Sequence, residues 1–310
     1  MPLPASLRHL VEAPRYAART SAFKKEVVVP AGVSGLPRPA PNAPLLQALF
    51  DRIVSDAESR GIAWGEWLAL STAALFALNA PGSLRAMMRY AVRHEGTLRP
   101  LAERVNRACL MREVGLKCLG LIGTPRTINN LAALRAEVDA DQELAAAMPT
   151  APRRDIHPEM WERVTQAGYE LWDDVYDKKS EKLRQVLTHS HPDLGLYIIQ
   201  QEYGPLFSPP SAYHDGMTMP PWEVHRLRTS IIAISALHAQ GGVAPQVTSH
   251  IYGLLRAQKA MAHVQGPERR GLDFLMTMDG AQWVVETVNE ICRVVDGAED
   301  AEREPVPARL

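Results

Sequence analysis

The positions of the apolar residues predict that most of the chain is α-helical. Between Leu46 and Val54 the large apolar residues recur every three or four positions, which places them on one face of a helix. Residues 66–78 (EWLALSTAALFAL) are apolar nearly all round, as expected for a helix at the centre of a bundle. Runs that alternate apolar and polar residues, the mark of a half-buried strand, are nearly missing. We therefore predict an all-α fold.

A second apolar stretch, residues 228–254, is interrupted near its middle. The helical pattern of RTSIIAISALHAQ stops at Gly241-Gly242 and resumes around Pro245. Glycine tolerates the backbone angles of a sharp turn, and proline fits the first turn of a helix. We therefore predict two helices with a break between them. The second helix carries one histidine, His250.

These two stretches predict an internal repeat. In each of them an apolar helix is followed by a Gly/Pro break and by a second helix. The breaks are NAPGS (residues 79–83) and GGVAPQ (residues 241–246). An offset of about 163 residues superimposes them and puts Met87 opposite His250.

The remaining segments complete the predicted organisation. Residues 27–44 carry proline and glycine too densely for a helix or strand and are expected to be an extended lead-in. Residues 158–187 are expected to form one long amphipathic helix. The predicted order is an extended or targeting segment over 1–44, one two-repeat helical domain over 45–297 (repeats over about 45–150 and 190–297), and a flexible tail over 298–310.

Composition and charge narrow the class of protein. Of the 310 residues, 46% are apolar, which is enough to build a large core. The chain has 34 basic and 35 acidic residues, so its formal net charge of −1 provides no strong attraction for nucleic acid. Charge-free apolar runs fall short of the about 20 residues that a membrane-spanning helix needs. We expect neither a nucleic-acid partner nor a membrane span.

The cysteine and histidine spacings indicate no metal or cofactor site. Cys109, Cys118 and Cys292 include no CxxC pair, and an odd number of cysteines argues against a disulfide framework and for a reducing compartment. Each is expected to be a small core residue. His189 and His191 have no third ligand near them, so no metal is predicted. Nucleotide-binding glycine motifs are missing, and no cofactor is predicted.

Residues 1–26 differ in composition from the rest of the chain. They contain five arginines and lysines against two glutamates, among alanine, serine and leucine. This composition is typical of a mitochondrial transit peptide, while Pro14 would interrupt the amphipathic helix. The alternative is a frayed amino terminus of a cytoplasmic protein. In both cases we expect the stretch to contribute nothing to the core.

The helix–break–helix around His250 resembles the core of the carboxymuconolactone decarboxylase / alkylhydroperoxidase-D-like family. Residues 112–134 (REVGLKCLGLIGTPRTINNLAAL) look like the segment in which a helix led by glutamate ends at Gly-x-Pro. Residues 191–207 (HPDLGLYIIQQEYGPLF) look like the helix that approaches the core. The resemblance covers most of residues 45–297 and is strongest to fungal two-repeat members. It implies a duplicated alkylhydroperoxidase-D-like helical bundle.

At the positions aligned by this resemblance, the chain lacks the residues of the family's best-known chemistry. In the peroxidase branch the second helix opens with CxxCxxxH, and the two cysteines reduce a peroxide and form a disulfide. Aligned on His250, the two cysteine positions of this chain are Val243 and Gln246, and the glutamate position is Ile231. We therefore expect no thiol peroxidase. The first repeat also lacks these residue types, since its corresponding positions are Leu68, Ala80, Ser83 and Met87.

The decarboxylase branch of the family needs no cysteine and offers a second chemistry. There His250 could act as the acid/base, and Arg228 could hold the carboxylate of a substrate. His238 and Glu202 are further polar candidates near this core. Each has a simpler interpretation: a hydrogen-bonded core histidine, a charge at a helix end or a solvated carboxylate.

Two functions follow from these residues. The first is a non-peroxidatic assembly or binding module that keeps the fold. The alternative is a cofactor-free lyase or isomerase on a small carboxylated substrate. A pocket that joins His250 to Arg228, His238 or Glu202 would favour the enzyme, and a dry His250 would favour the module. We also expect a homo-oligomer, most simply a two-fold dimer, with a small molecule as a further candidate ligand.

Overall fold

The structure, a computed structural model, describes residues 3–12, 41 and 43–295. Within these residues the chain forms fifteen α-helices, a π-helical segment over Ile198–Phe207, three 3-10 turns and an antiparallel pair of two-residue strands, β1 (Arg93–His94) and β2 (Thr97–Leu98). The predicted all-α class is confirmed. The helices are α1 (Ala5–Glu12), α2 (Ala43–Ser59), α3 (Trp64–Ala77), α4 (Pro81–Ala91), α5 (Leu101–Lys117), α6 (Leu119–Ile122), α7 (Thr124–Asp139), α8 (Gln142–Ala147), α9 (Trp161–Tyr176), α10 (Ser180–Ser190), α11 (Leu194–Tyr197), α12 (Arg226–Gln240), α13 (Ala244–Arg256), α14 (Arg269–Leu275) and α15 (Met278–Val295).

Helices α3 and α12 form the centre of the bundle. All residues of α3 from Gly65 to Ala77 are buried, and so are all residues of α12 from Arg226 to Ala239. The two helices pack directly on each other, and α5, α13 and α15 surround them. A helix that is apolar on every side is stable only where no face meets water. The buried helix predicted over residues 66–78 is therefore confirmed.

The two breaks predicted from glycine and proline are present. Between α3 and α4 the chain turns at Asn79, which has a φ of 51°, and α4 begins at Pro81. Between α12 and α13, Gly241 and Gly242 have φ angles of 76° and 75°, and Pro245 lies in the first turn of α13. A residue with a side chain is strained at such angles, so the glycines allow the chain to reverse here.

The internal duplication stays a prediction. Both halves contain a buried helix, a break and a second helix in the predicted order. The segments that follow differ, because α4 is followed by the strand pair and α5, whereas α13 is followed by α14 and α15. The test is whether α3 and α4 superimpose on α12 and α13 as one rigid unit.

The amino-terminal helix α1 contributes to the core. Leu7 of α1 and Leu3, just before the helix, are buried, and α1 packs on α13 and α15. The prediction that residues 1–26 add nothing to the core is therefore wrong for residues 3–12. The composition averaged over residues 1–26 does not reveal the short apolar face of α1. Residues 13–40, which include most of the predicted lead-in, and the predicted tail over 298–310 lie outside the described residues.

The single helix predicted over residues 158–187 is in fact two helices. Helix α9 ends at Tyr176, Asp177 has a φ of 51°, and α10 begins at Ser180. The indole Nε1 of Trp172 donates a hydrogen bond to the carbonyl oxygen of Ser180 at 3.4 Å, which fixes the turn. Apolar residues keep a helical spacing through this turn, so the pattern alone does not reveal the break.

The π-helical segment lies unusually close to α9. A Cβ atom on Gly168 would lie 2.6 Å from a backbone oxygen of the segment, and one on Gly204 would lie 2.7 Å from a backbone oxygen of α9. Only glycine at these two positions permits this approach. Because π-helical segments are frequent at functional sites, the side chains and carbonyl groups that this one presents to the core are candidates for a functional role.

Candidate functional site

His250 lies on α13 and faces a small internal cavity. The cavity is bounded by α5, α6, α9, α12, α13 and the π-helical segment, and its volume is about 10 Å³. A cavity needs roughly this volume to hold one water molecule. The site therefore has room for a water molecule and for nothing larger.

The ring of His250 is buried and electrically neutral. Only 8% of the residue is exposed, and the ring centroid lies 6.0 Å from that of Tyr176. Burial, together with the positive charge of Arg226, lowers the pKa of His250 to about 4. Within the described part of the chain, Nδ1 has no hydrogen-bond partner. The imidazole is thus a neutral base whose Nδ1 is not oriented by any described group.

Lys117, on α5, is a buried amine that lines the same cavity. The residue is only 1% exposed, and its Nζ donates hydrogen bonds to the carbonyl oxygens of Leu206 at 2.9 Å and Phe207 at 2.7 Å. Burial lowers the pKa of Lys117 to about 7, against the opposing charge of Glu113, whose Oε1 lies 3.8 Å away. The sequence pattern does not single out this lysine. The available signal was that Glu113 and Lys117 lie four residues apart on α5.

An arginine from a connecting segment completes this charged group. Arg154 donates two hydrogen bonds to the carboxylate of Glu113, one of them from Nη1 to Oε2 at 3.0 Å, and its Nε donates to the carbonyl of Pro205 at 2.9 Å. Burial opposes the charge of Glu113, but Lys117 and Arg154 hold the pKa of this carboxyl below its usual range. The group ties α5 to the π-helical segment, which makes its first role structural.

Two tyrosines lie beside the cavity on its α9 side. The hydroxyl oxygens of Tyr176 and Tyr203 are 2.9 Å apart, and both rings pack against Trp172, at centroid distances of 4.2 Å and 5.0 Å. Burial raises the pKa of both phenols, so they remain protonated at neutral pH. They can pass a hydrogen bond between them, but neither carries a charge.

Arg228 binds protein groups rather than an open cavity. Its Nε donates to Oε1 of Glu66 at 2.9 Å, and its Nη1 donates to two backbone carbonyls, those of Pro221 at 3.1 Å and Glu223 at 2.9 Å. Burial opposes the charge of Glu66, but Arg228 and then His225 lower the pKa of Glu66 to about 2. This ion pair joins the amino-terminal ends of the two central helices.

His238 and Glu202 lie away from the cavity as well. Nε2 of His238 is 2.8 Å from Oδ1 of Asn289 on α15. Glu202 lies on the π-helical segment next to α6, and burial raises the pKa of its carboxyl. The residues that line the cavity of His250 include none of Arg228, His238 and Glu202. The structure thus separates the four candidates into different environments.

The positions that carry cysteine in the resembled peroxidases hold no sulfur. Val243 and Gln246 lie at the start of α13, and Ala80 and Ser83 lie at the corresponding start of α4. The three cysteines of the chain lie elsewhere, are buried and form no disulfide. Among the described residues no group of three metal ligands comes together, and no described helix is long and apolar enough to cross a membrane.

Comparison with known proteins gives a partial match. The chain is 32% identical over 161 residues to Peroxisomal protein 2 of Saccharomyces cerevisiae. The match covers 46% of this chain and 53% of the yeast protein, so the chain spans about half the length of the curated relative that it matches. No family model and no solved structure matches the chain. The family resemblance therefore stays a prediction from the residues quoted above.

Proposed function

We propose that this chain is a carboxymuconolactone-decarboxylase-like protein that lacks the redox cysteines and acts as a binding or assembly module. The observation that carries this proposal is the environment of His250, whose ring faces a cavity of about 10 Å³. A catalytic acid/base must reach the proton that it moves, directly or through one water. Since this cavity admits no substrate, we infer that His250 fills the core.

The cysteines support the same proposal. A peroxidatic thiol must be accessible and must have a lowered pKa. Burial raises the pKa of both Cys109 and Cys118 above the ordinary value. A thiol that stays protonated and buried is a poor nucleophile, so neither residue substitutes for the cysteines that the resembled peroxidases use.

A cofactor-free lyase or isomerase is the second candidate. One observation favours it: His250 and Lys117 line the same cavity, and burial lowers the pKa of both. Two basic groups beside each other are suited to proton abstraction. In this alternative, the π-helical segment moves to admit a small carboxylated substrate, and His250 takes its proton.

Turnover of γ-carboxymuconolactone, followed by ultraviolet absorbance, separates the two functions. We expect the natural chain to convert this lactone no faster than buffer does. A rate above that of buffer which disappears in His250→Gln, while the melting temperature of the variant stays unchanged, would establish the lyase and overturn the module. Val247→Ala on the same helix serves as the matched control for an altered core.

We also propose that the protein is peroxisomal, with mitochondrial import as the competing proposal. The similar yeast protein is peroxisomal by name. Cleavage of a transit peptide over residues 1–26 would remove Leu3 and Leu7 from the core.

Two reporters decide between these compartments. The full chain is fused to one fluorescent protein, and residues 1–40 are fused to the amino end of another. We expect the first to co-localise with a peroxisomal matrix marker and the second to remain diffuse. A mitochondrial signal from both reporters would support mitochondrial import instead.

A further inference from the structure

A large open groove lies on the first half of the molecule, away from His250. It is bounded by α2, α3, α4, the strand pair and the first half of α5, and its volume is about 900 Å³. Sites for small molecules typically have volumes of about 300–1,000 Å³. The groove is therefore large enough for an organic ligand, unlike the cavity of His250.

Arg107, on α5, lines this groove as a buried cation without a counter-ion among the described residues. Only 6% of the residue is exposed. Its guanidinium carbon lies 4.9 Å from the ring centroid of Trp64, and Nη1 has no hydrogen-bond partner within the part of the chain that the structure describes. None of the ion pairs between described residues includes Arg107.

The other charged residues of the groove form no ion pair with Arg107. Arg99, also in the groove, pairs with Glu103 at 3.2 Å. Oδ1 of Asp51 accepts hydrogen bonds from the hydroxyl of Tyr90 at 2.9 Å and from Gln47 at 3.0 Å. The groove also contains Glu58 and Glu95, but neither lies within ion-pair distance of Arg107. Arg107 is thus a buried cation of the groove that no described carboxylate of the groove neutralises.

An unmatched buried cation is costly for a folded protein. Burial, and to a lesser degree the charge of Arg99, lowers the pKa of Arg107 to about 10, yet the guanidinium remains charged at neutral pH. Leaving a charge buried without a partner destabilises the folded state, and such groups are usually paired or bind an ion. The planar fork of arginine fits a carboxylate with two parallel hydrogen bonds.

The rest of the groove is suited to the apolar body of such a ligand. Aromatic rings form much of the wall: Phe50 and Tyr90 lie 5.4 Å apart, and Trp67 and Tyr90 lie 6.5 Å apart, measured between ring centroids. The guanidinium of Arg107 lies over the ring of Trp64 in a cation–π contact. Aromatic walls with one fixed polar group are typical of sites for planar organic molecules.

We infer that this groove binds a small organic anion, a carboxylate on a planar aromatic or unsaturated body, with Arg107 as the carboxylate-binding residue. The inference rests on the proposed binding role and names the ligand class for it. It concerns a different place from His250, so the two can fail separately. Lactone turnover through His250 would overturn the proposed module, whereas a failure to bind the anion through Arg107 would overturn the groove alone.

The test compares two probes of equal shape and different charge, 2-naphthoate and 2-naphthamide, by isothermal titration with the full chain. We expect the naphthoate to bind about tenfold or more tightly than the amide, because charge-assisted hydrogen bonds form only with the anion. In Arg107→Met this preference should disappear. Arg85→Met is the matched control, since Arg85 lies on α4, pairs with Glu137 and does not line the groove.

Thermal unfolding without ligand provides the second measurement. If Arg107 serves to bind a ligand, then without ligand it is an unpaired buried charge, which Arg107→Met removes. The ligand-free variant should therefore melt at a higher temperature than the natural chain. 2-Naphthoate should raise the melting temperature of the natural chain and not that of the variant. Equal binding of both probes, naphthoate binding that survives Arg107→Met, or a lowered melting temperature of the ligand-free variant would each overturn the inference.

Discussion

At the residue scale, the buried imidazole of His250 makes stability depend on pH. The unfolded ring takes up a proton near pH 6.5, whereas burial lowers the pKa of the folded ring to about 4. Unfolding therefore binds a proton between these values, and stability falls as the pH falls through this window, by about 3 kcal/mol when the window is complete. Glu66 affects stability in a different pH range. Because its pKa is lowered to about 2 in the folded state, protonation of Glu66 destabilises the fold only below about pH 4.5.

Urea titrations at pH 7 and pH 4.5 measure this effect in the natural chain and in His250→Phe. We expect the natural chain to lose about 2 kcal/mol more than the variant between the two pH values, since phenylalanine has no proton to bind. The comparison cancels any constant effect of the substitution on packing. An identical loss in both chains would show that the ring of His250 is not desolvated in the folded state.

The ion pair between Glu66 and Arg228 gives a second test at this scale. Glu66→Gln removes the carboxylate and leaves Arg228 buried without its counter-ion, which should cost about 3–5 kcal/mol of unfolding free energy. The exposed pair Arg135–Asp139 is the control, and Asp139→Asn should cost less than about 1 kcal/mol. Similar small losses in both variants, measured by chemical denaturation, would contradict a buried structural role for Arg228.

The residue types alone did not reveal these partnerships. His250 stood out because it is the one histidine on a helix that follows a Gly/Pro break. Arg228 was a sensible candidate for an anion, but its partner Glu66 lies 162 positions earlier and meets it only in the folded bundle. Arg107 and Lys117 were missed because their helix α5 looks half polar, and burial of its charges depends on tertiary contacts.

At the element scale, the central helices and their breaks follow directly from local sequence. The apolar stretch of α3 predicts a buried helix. The glycine pair after α12 predicts a reversal of the chain. The π-helical segment and the break at Asp177 have no such local signal. Both depend on how closely α9 and its neighbours pack, which is a property of the assembled bundle.

The contact between α9 and the π-helical segment predicts a ranking of glycine substitutions. Gly204→Ala would place a Cβ 2.7 Å from a backbone oxygen and force the two elements apart, which should cost at least about 2 kcal/mol. Gly241→Ala meets open space and should cost only about 1 kcal/mol through its positive φ. Denaturant titration of the two variants measures the difference. A cost of Gly204→Ala no greater than that of Gly241→Ala would contradict the close packing.

At the scale of the whole molecule, exposed apolar side chains on α10 and α11 suggest where a second copy would bind. Val186, Leu196 and Tyr197 are 53%, 50% and 60% exposed. We expect light scattering to give the mass of a dimer at micromolar concentration, and Leu196→Glu to give a monomer. Ile128→Glu, at a 60% exposed position on α7, should leave the dimer intact. A monomeric natural chain would contradict the expected assembly.

We propose that the whole molecule keeps the helical bundle of the resembled family without its thiol chemistry. Reduction of cumene hydroperoxide in the presence of dithiothreitol is the test of this claim. We expect the natural chain and the Cys118→Ser variant to show the same rate as the reaction without protein, because burial keeps the Cys118 thiol protonated and out of reach. Turnover by the natural chain that is lost in Cys118→Ser would contradict the claim.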